Sequence, residues 1–596
     1  MIVCYRRLFS ALTKNHNQAF LINLASYRIN PIETHNQITV PHSMIKNIER
    51  QRAKKIYKKE QEEDPPGDRS QPPVIACKRT EFNHYPGRQY RQMTEKHVAS
   101  GAWQHRLSKG DFFTIDQHFK NPSWTQSTVQ TFEQLNCKPE LIEILKKANI
   151  HNPTSTQSRV IPELRTGHHM IVAAETGGGK TLAYLVPLIE SLLHWKSSKH
   201  LIQMENAPFA IILAPTRELV TQIENMLQVF NQLNVRTRSL IGINTDKNML
   251  QVFNQLNVRT RSLIGINTDK DPLNFTLGEV DIIIATPGIL LRLLRQDEHF
   301  GIERRLIGSN LRHVIVDEAD TLLDITFSPA VVEIIRRLEI DVQPINDLEQ
   351  NASPAVQLIF VSATIPTTTE ESLKELISAD QINKMLTPSV HRIMPHVPQK
   401  FYRIGNQQKL GLLLKLVKYD LEKKHPCLIF CNKTKTVKFL QQFFRDQRIE
   451  ILVMHSQMTD TKRTKSLEQF RNGENNIMCA TDIISRGVDT YWVEHVIQFD
   501  FPRFMSDYIH RTGRVGRIGS KNPGKVSSFV SRPYEVTLAQ KIEVTARMNK
   551  KLSGVNNDIK NQLALHAQQR EQRQEKLDNR KVREELCKDV IRSAMV

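Results

Sequence analysis

Apolar residues in this chain gather in short unbroken runs separated by longer mixed stretches. His169-Met-Ile-Val-Ala-Ala, Phe209-Ala-Ile-Ile-Leu-Ala, Asp281-Ile-Ile-Ile-Ala, His313-Val-Ile-Val and Gln357-Leu-Ile-Phe-Val form a first series. Cys427-Leu-Ile-Phe, Ile451-Leu-Val-Met, Asn476-Ile-Met-Cys-Ala and His495-Val-Ile-Gln-Phe form a second. Continuous Val/Ile runs of this length suit parallel strands covered by helices on both faces, whereas a half-exposed sheet would alternate apolar and polar positions. The pattern predicts an α/β protein with two tandem parallel sheets flanked by helices. A polar stretch with Pro388, Pro395 and Pro398 separates the two series. Before residue 115 the chain reads as an extension: a helix-compatible charged run over 45–63 is broken by Asp64-Pro-Pro-Gly. After about residue 538 the Glu/Lys/Arg/Gln-rich sequence reads as a solvated tail.

One segment breaks the rhythm. Asn225–Lys247 recurs without a change as Asn248–Lys270. A solenoid needs more copies, with drift between them. Two identical copies point to a recent tandem duplication or to an error in gene assembly, the latter favoured. Each copy reads as a helix segment followed by a strand, so the sheet is expected to have room for one and the spare to bulge outward or displace it.

Composition narrows the partners. Lys and Arg number 82 against 62 Asp and Glu, a formal charge of +20, which favours a polyanion such as nucleic acid. No run of about 18 apolar residues suggests a membrane span. The seven cysteines are scattered without a C-x-x-C, so buried or free thiols are expected rather than zinc. The first 32 residues hold no Asp or Glu but do hold Arg6, Arg7, Lys14 and Arg28 among apolar residues, Ser and Asn. That composition matches a mitochondrial transit peptide, with an ordinary basic arm as the alternative.

The chemistry falls where apolar runs end, as at the carboxyl edge of an open α/β sheet. Ala174-Glu-Thr176-Gly177-Gly178-Gly179-Lys180-Thr181 fits a phosphate loop: glycines let backbone N–H groups crowd a phosphate at a helix N-terminus. Lys180 would add charge at the terminal phosphates of ATP, and the Thr181 hydroxyl would ligate Mg2+. Asp317-Glu318 closes the run Val314-Ile-Val316, so one carboxylate can face the metal, through water, while its neighbour polarises an attacking water. His510-Arg-Thr-Gly-Arg514-Val-Gly-Arg517 offers arginines to a phosphate undergoing transfer.

Taken together, these motifs and Asp317-Glu318-Ala319-Asp320 resemble a DEAD-box RNA helicase of superfamily 2, over about residues 132 to 533. The resemblance implies two RecA-like domains closing over ATP and single-stranded RNA, hence an RNA-dependent ATPase acting as a monomer. It places Gln157 at the adenine edge with Phe132 stacking on the base, and Asp489 at the ribose. Pro215, Thr216, Arg217, Thr286, Pro287, Gly288, Thr481 and Arg486 would contact RNA. Asp320, Ser362, Thr364 and His510 would couple ATP state to RNA, and Arg514 and Arg517 would be arginine fingers. The chain departs from the family pattern at Asn149, where Gly is usual, and at Ile289, where Arg is usual.

The implied division is a transit peptide over 1–32, a basic extension over 33–115, a first RecA-like domain over 116–385, a linker over 386–400, a second domain over 401–537 and a tail over 538–596. The overall look is that of mitochondrial DEAD-box proteins of large ribosomal subunit assembly, which implies ribosomal precursors as partners and the mitochondrial matrix as the place of action. A nuclear or nucleolar protein, and a low-turnover RNA-binding clamp, are the alternatives.

Overall fold

The computed structural model describes residues 74–85, 93–117, 131–197, 207–241 (except 234 and 236), 261–264, 280–300, 310–323, 328–338, 356–364, 377, 381–387 and 390–552 (except 395, 486, 518, 519 and 521). The expected transit peptide, most of the basic extension, Arg486 and the tail beyond 552 lie outside the described residues.

Two eight-stranded sheets organise the chain into two lobes. Across the first, the spatial order is Ile382–Leu386, His169–Ala173, Gln357–Ser362, His313–Asp317, Ala210–Leu213, Ile282–Ala285, Thr237–Ile241 and Arg261–Ile264, all parallel. Its central strands are buried at every position, as their unbroken Val/Ile/Leu sequence requires. Helices cover both faces in two apolar clusters. Asn149, two residues past the helix Pro139–Lys147, has φ +60°. Asn is the residue that best replaces Gly in this left-handed position, so the departure is absorbed locally.

Across the second sheet the order is Ile75–Cys77, Phe112–Ile115, Gln399–Arg403, Lys525–Val530, His495–Gln498, Cys427–Phe430, Ile477–Ala480 and Leu452–Met454. The last six are parallel; the first two are antiparallel additions. This corrects the expectation that everything before about 115 is extension. Phe113 stacks on Phe401 with centroids 4.5 Å apart, and Trp103 is fully buried beside it. The helix Pro533–Met548 seals the same region, which also corrects the placing of a solvated tail at 538. Its Glu543 accepts hydrogen bonds from the backbone of Ala99 and Ser100 at 2.9 and 2.8 Å and pairs with Arg547 at 2.7 Å. A buried carboxylate so fully partnered is compatible with the core. Among the described residues Cys77, Cys137, Cys427, Cys431 and Cys479 are buried free thiols.

The repeat also behaves differently from expectation: the sheet accepts a strand from each copy. Arg261–Ile264 pairs in parallel with Thr237–Ile241 so that each residue faces its own duplicate, Arg238 to Arg261 and Ile241 to Ile264. The first copy sits against Ile282–Ala285, and the second extends the edge. An open sheet can lengthen at its edge without disturbing strands already paired.

His313, within the first sheet, carries a pH consequence. Its ring nitrogens meet Gln357 Oε1 at 3.0 Å and Ser191 Oγ at 3.1 Å, and burial pulls its pKa down to about 4. The folded value lies below the unfolded value of about 6.5, so the neutral ring is the form the fold accepts. Its contribution is complete above that pH and is lost as pH falls toward 4, by up to about 3 kcal/mol. The urea midpoint of the first lobe should therefore drop between pH 7 and pH 5, and drop less in His313→Gln. Equal drops in both proteins would rule out this residue as the cause.

Candidate functional site

The phosphate loop leaves the buried strand His169–Ala173 and enters the helix Lys180–Ser197. Lys180 Nζ lies within the loop, donating to the carbonyls of Ala174 and Glu175 at 3.0 Å each. Burial lowers its pKa, and Asp317 opposes the shift. A partly buried ammonium whose hydrogen bonds go to neutral carbonyls is poised for an anion. Thr387 at the end of the first sheet donates to Glu175 Oε2 at 2.8 Å, fixing the loop's outer side.

Gln157, expected at an adenine edge, is instead largely occupied. Its Oε1 accepts from the Thr154 amide at 2.9 Å and its Nε2 donates to the Gly179 carbonyl at 3.1 Å. It thereby completes the capping box of the helix Ser155–Leu164 and ties that helix to the loop. Phe132, expected to stack on a base, is 1% exposed within the apolar core of the first lobe. In this arrangement the ring is enclosed by the core, and its stacking on a base stays part of the proposal.

Asp317 and Glu318 sit where the strand His313–Asp317 ends. Asp317 Oδ1 accepts from the Glu318 amide at 2.9 Å, and Oδ2 accepts from the Tyr184 hydroxyl at 3.0 Å. Burial and the charge of Glu318 raise the Asp317 pKa to about 6, partly offset by Lys180. Glu318 has φ +52°, a left-handed conformation that costs a non-glycine residue energy and is typical of functional positions. Its Oε1 accepts from the Gly487 amide at 2.7 Å, a contact between the lobes, while its buried Oε2 has no partner among the described residues. Asp320 Oδ2 accepts from the Thr364 hydroxyl and from His510 Nε2, the latter at 3.0 Å. Ser362 Oγ accepts from the Asp320 amide at 3.4 Å and from the Thr364 amide at 3.2 Å. Asp320, Ser362, Thr364 and His510 therefore form one network across the two lobes.

The arginines arrive on the same side. The helix Met505–Thr512 ends at Gly513, which lies against Thr176 so closely that an added Cβ would come within 1.9 Å of its hydroxyl. No other residue fits there. Arg517 packs over Gly177, its Cγ 3.2 Å from where a Cβ would stand, and its Nη1 donates to Asp489 Oδ1 at 2.8 Å and to the Val488 carbonyl at 3.0 Å. Arg514 is 2% exposed and donates to the carbonyls of Val488 and His510. Burial and the neighbouring Arg517 lower its pKa to about 9. Two cations packed together largely against neutral acceptors await negative charge. Arg511, absent from the expected set, holds this turn through paired bonds to Asp482 at 2.6 and 2.8 Å and one to Asn432 at 2.6 Å. Its place inside His510-Arg-Thr-Gly-Arg514 was a sequence signal for a structural arginine.

The residues expected at RNA lie on three element ends. Pro215 and Thr216 precede the helix Arg217–Leu227, whose first turn Thr216 caps by accepting from the Leu219 amide at 3.2 Å. Thr286, Pro287 and Gly288 open the helix Pro287–Phe300; Gly288 is exposed, and Ile289 packs on the core where an arginine would reach outward. Thr481 follows the strand Ile477–Ala480. Glu218 of the first lobe meets Arg463 of the second at 3.7 Å, close to these ends.

Thr181 and Asp317 contribute hard oxygen ligands, the donor type that magnesium requires. Tyr184, one turn beyond Thr181 on the same helix, donates its hydroxyl to Asp317 Oδ2 and so links that helix to the acidic strand end. A different group, Asp420, Cys427 and His495, is close enough to hold a metal. There, however, Lys525 Nζ lies 3.2 Å from Asp420 and already supplies the cation.

The fold and the facing of phosphate loop and arginines define a two-lobed RecA-like nucleotide hydrolase. The DEAD/DEAH box helicase model matches residues 154–372, and the helicase conserved C-terminal domain model matches residues 408–519. The chain is 33% identical over 502 residues to the probable ATP-dependent RNA helicase DDX28 of Mus musculus, covering 82% of this chain and 86% of that protein. Its human counterpart is 33% identical over 503 residues, covering 83% and 87%. A structure of S. cerevisiae Dbp5 bound to RNA and ADP BeF3 superposes with a TM-score of 0.52 at 21% identity, covering 70% of this chain and 93% of that one. Mss116p bound to ssRNA and AMP-PNP gives 0.54 at 21% identity, covering 73% and 81%. The chain belongs to the DEAD-box family of ATP-dependent RNA helicases.

Proposed function

We propose that this chain uses ATP to close its two lobes over single-stranded RNA and so opens or remodels short structured RNA locally. The observation that carries this reading is the network from Asp320 and Thr364 in the first lobe to His510 in the second, beside the Glu318–Gly487 contact. Hydrolysis then requires closure, and RNA contacts made by both lobes favour closure. Thr181 and Asp317 would hold magnesium, which neutralises charge on the terminal phosphates. Lys180 would bind those phosphates, Arg514 and Arg517 would steady the charge developing during transfer, and Glu318 would orient the attacking water. Asp489, already bonded to Arg517, would bind the ribose. Pro215–Arg217, Thr286–Gly288, Thr481 and Arg486 would hold the RNA through phosphate and sugar, making binding sensitive to salt and indifferent to sequence. We place the protein in the mitochondrial matrix, as a monomer acting on precursors of the large ribosomal subunit. The acid-free first 32 residues and the family resemblance support that placement.

A clamp with little turnover is the second reading, favoured by the inward-packed Ile289 and the inserted repeat. Glu318→Gln separates the two. A remodelling ATPase should lose RNA-stimulated turnover by at least roughly 10²-fold while retaining RNA in the presence of ATP. A clamp should keep its cellular role intact. Wild-type turnover that RNA leaves unchanged would sink the motor reading.

A further inference from the structure

We propose that Tyr184 is a positioning residue of the metal–nucleotide centre, its hydroxyl fixing the Asp317 carboxylate in the orientation that faces Thr181. The inference rests on the reading of Thr181 and Asp317 as the magnesium-holding pair. Tyr184 lies in the helix Lys180–Ser197, four residues after Lys180 and three after Thr181, so all three occupy one side of its first turns. Its side chain is 1% exposed, and its hydroxyl donates to Asp317 Oδ2 at 3.0 Å. The other carboxylate oxygen is held from a second element, by the Glu318 amide at 2.9 Å. Asp317 is thus gripped from the phosphate-loop helix on one side and from its own strand end on the other.

A buried tyrosine hydroxyl needs a partner, and a buried carboxylate oxygen that loses one carries the full cost of its desolvation. Phenylalanine would fill the same space and leave Oδ2 with one donor fewer. The carboxylate could then turn about its side-chain torsion, away from the position that Thr181 shares. Partners that orient metal-holding groups commonly change metal affinity by roughly 10- to 100-fold when removed. Nothing in this contact touches the base, the ribose or the arginines, so nucleotide binding without metal should be indifferent to it.

The test compares full-length Tyr184→Phe with wild type, measuring the affinity for a fluorescent ATP analogue in EDTA and in a magnesium titration. We expect equal affinities in EDTA and a magnesium requirement raised roughly tenfold in the variant. Equal magnesium requirements would overturn the positioning role while leaving the assignment of Thr181 and Asp317 standing. Affinity reduced equally with and without magnesium would also overturn it, as a packing effect. A wild-type protein that gains no affinity from magnesium would instead remove the reading of the pair on which the inference stands.

Discussion

Arg517→Ala should lower RNA-stimulated ATP turnover by roughly 10³-fold, the lower end of what an arginine finger contributes. The expectation follows from where this side chain stands. It packs across Gly177 of the phosphate loop although it belongs to the other lobe, and its Nε is buried without a partner among the described residues. A donor left unsatisfied in a water-poor interface gains most when charge develops beside it, since the interface pays no reorganisation cost at that moment. Its Nη1 bonds to Val488 and Asp489 keep the guanidinium aimed before nucleotide arrives. Single-turnover and steady-state ATPase assays with saturating RNA would measure the loss. Nucleotide affinity should change much less, because the phosphate loop itself is intact. A fall of less than about tenfold would mean that Arg517 is a lobe-packing residue and that Arg514 alone meets the transition state.

Trp103→Ala should destabilise the second lobe by about 3–5 kcal/mol while leaving the first lobe's unfolding transition in place. Trp103 precedes both family-model matches in the chain, yet it is fully buried against Phe113 and donates to Asp111 Oδ2 at 2.9 Å. The change therefore opens a cavity and removes a donor from a buried carboxylate that also pairs with Arg79 at 3.2 Å. Leu107→Ala, at a side chain 87% exposed in the same segment, is the control and should shift stability by no more than about 0.5 kcal/mol. Denaturant unfolding followed by tryptophan fluorescence and circular dichroism would resolve the two lobes. A Trp103→Ala protein as stable as wild type would show that residues 74–117 merely lean on the second sheet.

Much of this architecture was legible because parallel strands buried on both faces must be apolar throughout, so runs such as Phe209–Ala214 announce themselves. The chemistry was legible for a related reason. Motifs at strand ends keep their spacing to the strand, as Asp317 and Glu318 do after Val314-Ile-Val316. What escaped notice depends on contacts between distant parts of the chain. Phe112–Ile115 is short, and its partner Gln399–Arg403 lies in the other half of the sequence, so no local period marks the pair. The chain from about 538 reads as a solvated tail because a sequence does not reveal that Glu543 and Arg547 pair with each other inside the core. Gln157 and Phe132 show the opposite limit: a motif can identify a residue's neighbourhood without saying which of its neighbours occupies the side chain. Tyr184 lay within reach of helical spacing alone, being one turn beyond Lys180.

The doubled segment has a genetic corollary. Because its copies are identical, removing any window of that length that starts between Asn225 and Asn248 leaves one and the same polypeptide. If the gene carries the duplication and its two DNA copies match as the peptides do, a single slippage event returns it to one copy. Of the described strands, such a chain would lose Arg261–Ile264 at the sheet edge and keep Thr237–Ile241 beside Ile282–Ala285. A single-copy chain should therefore fold with its first sheet one strand narrower, which circular dichroism and ATP turnover of the two lengths side by side would check.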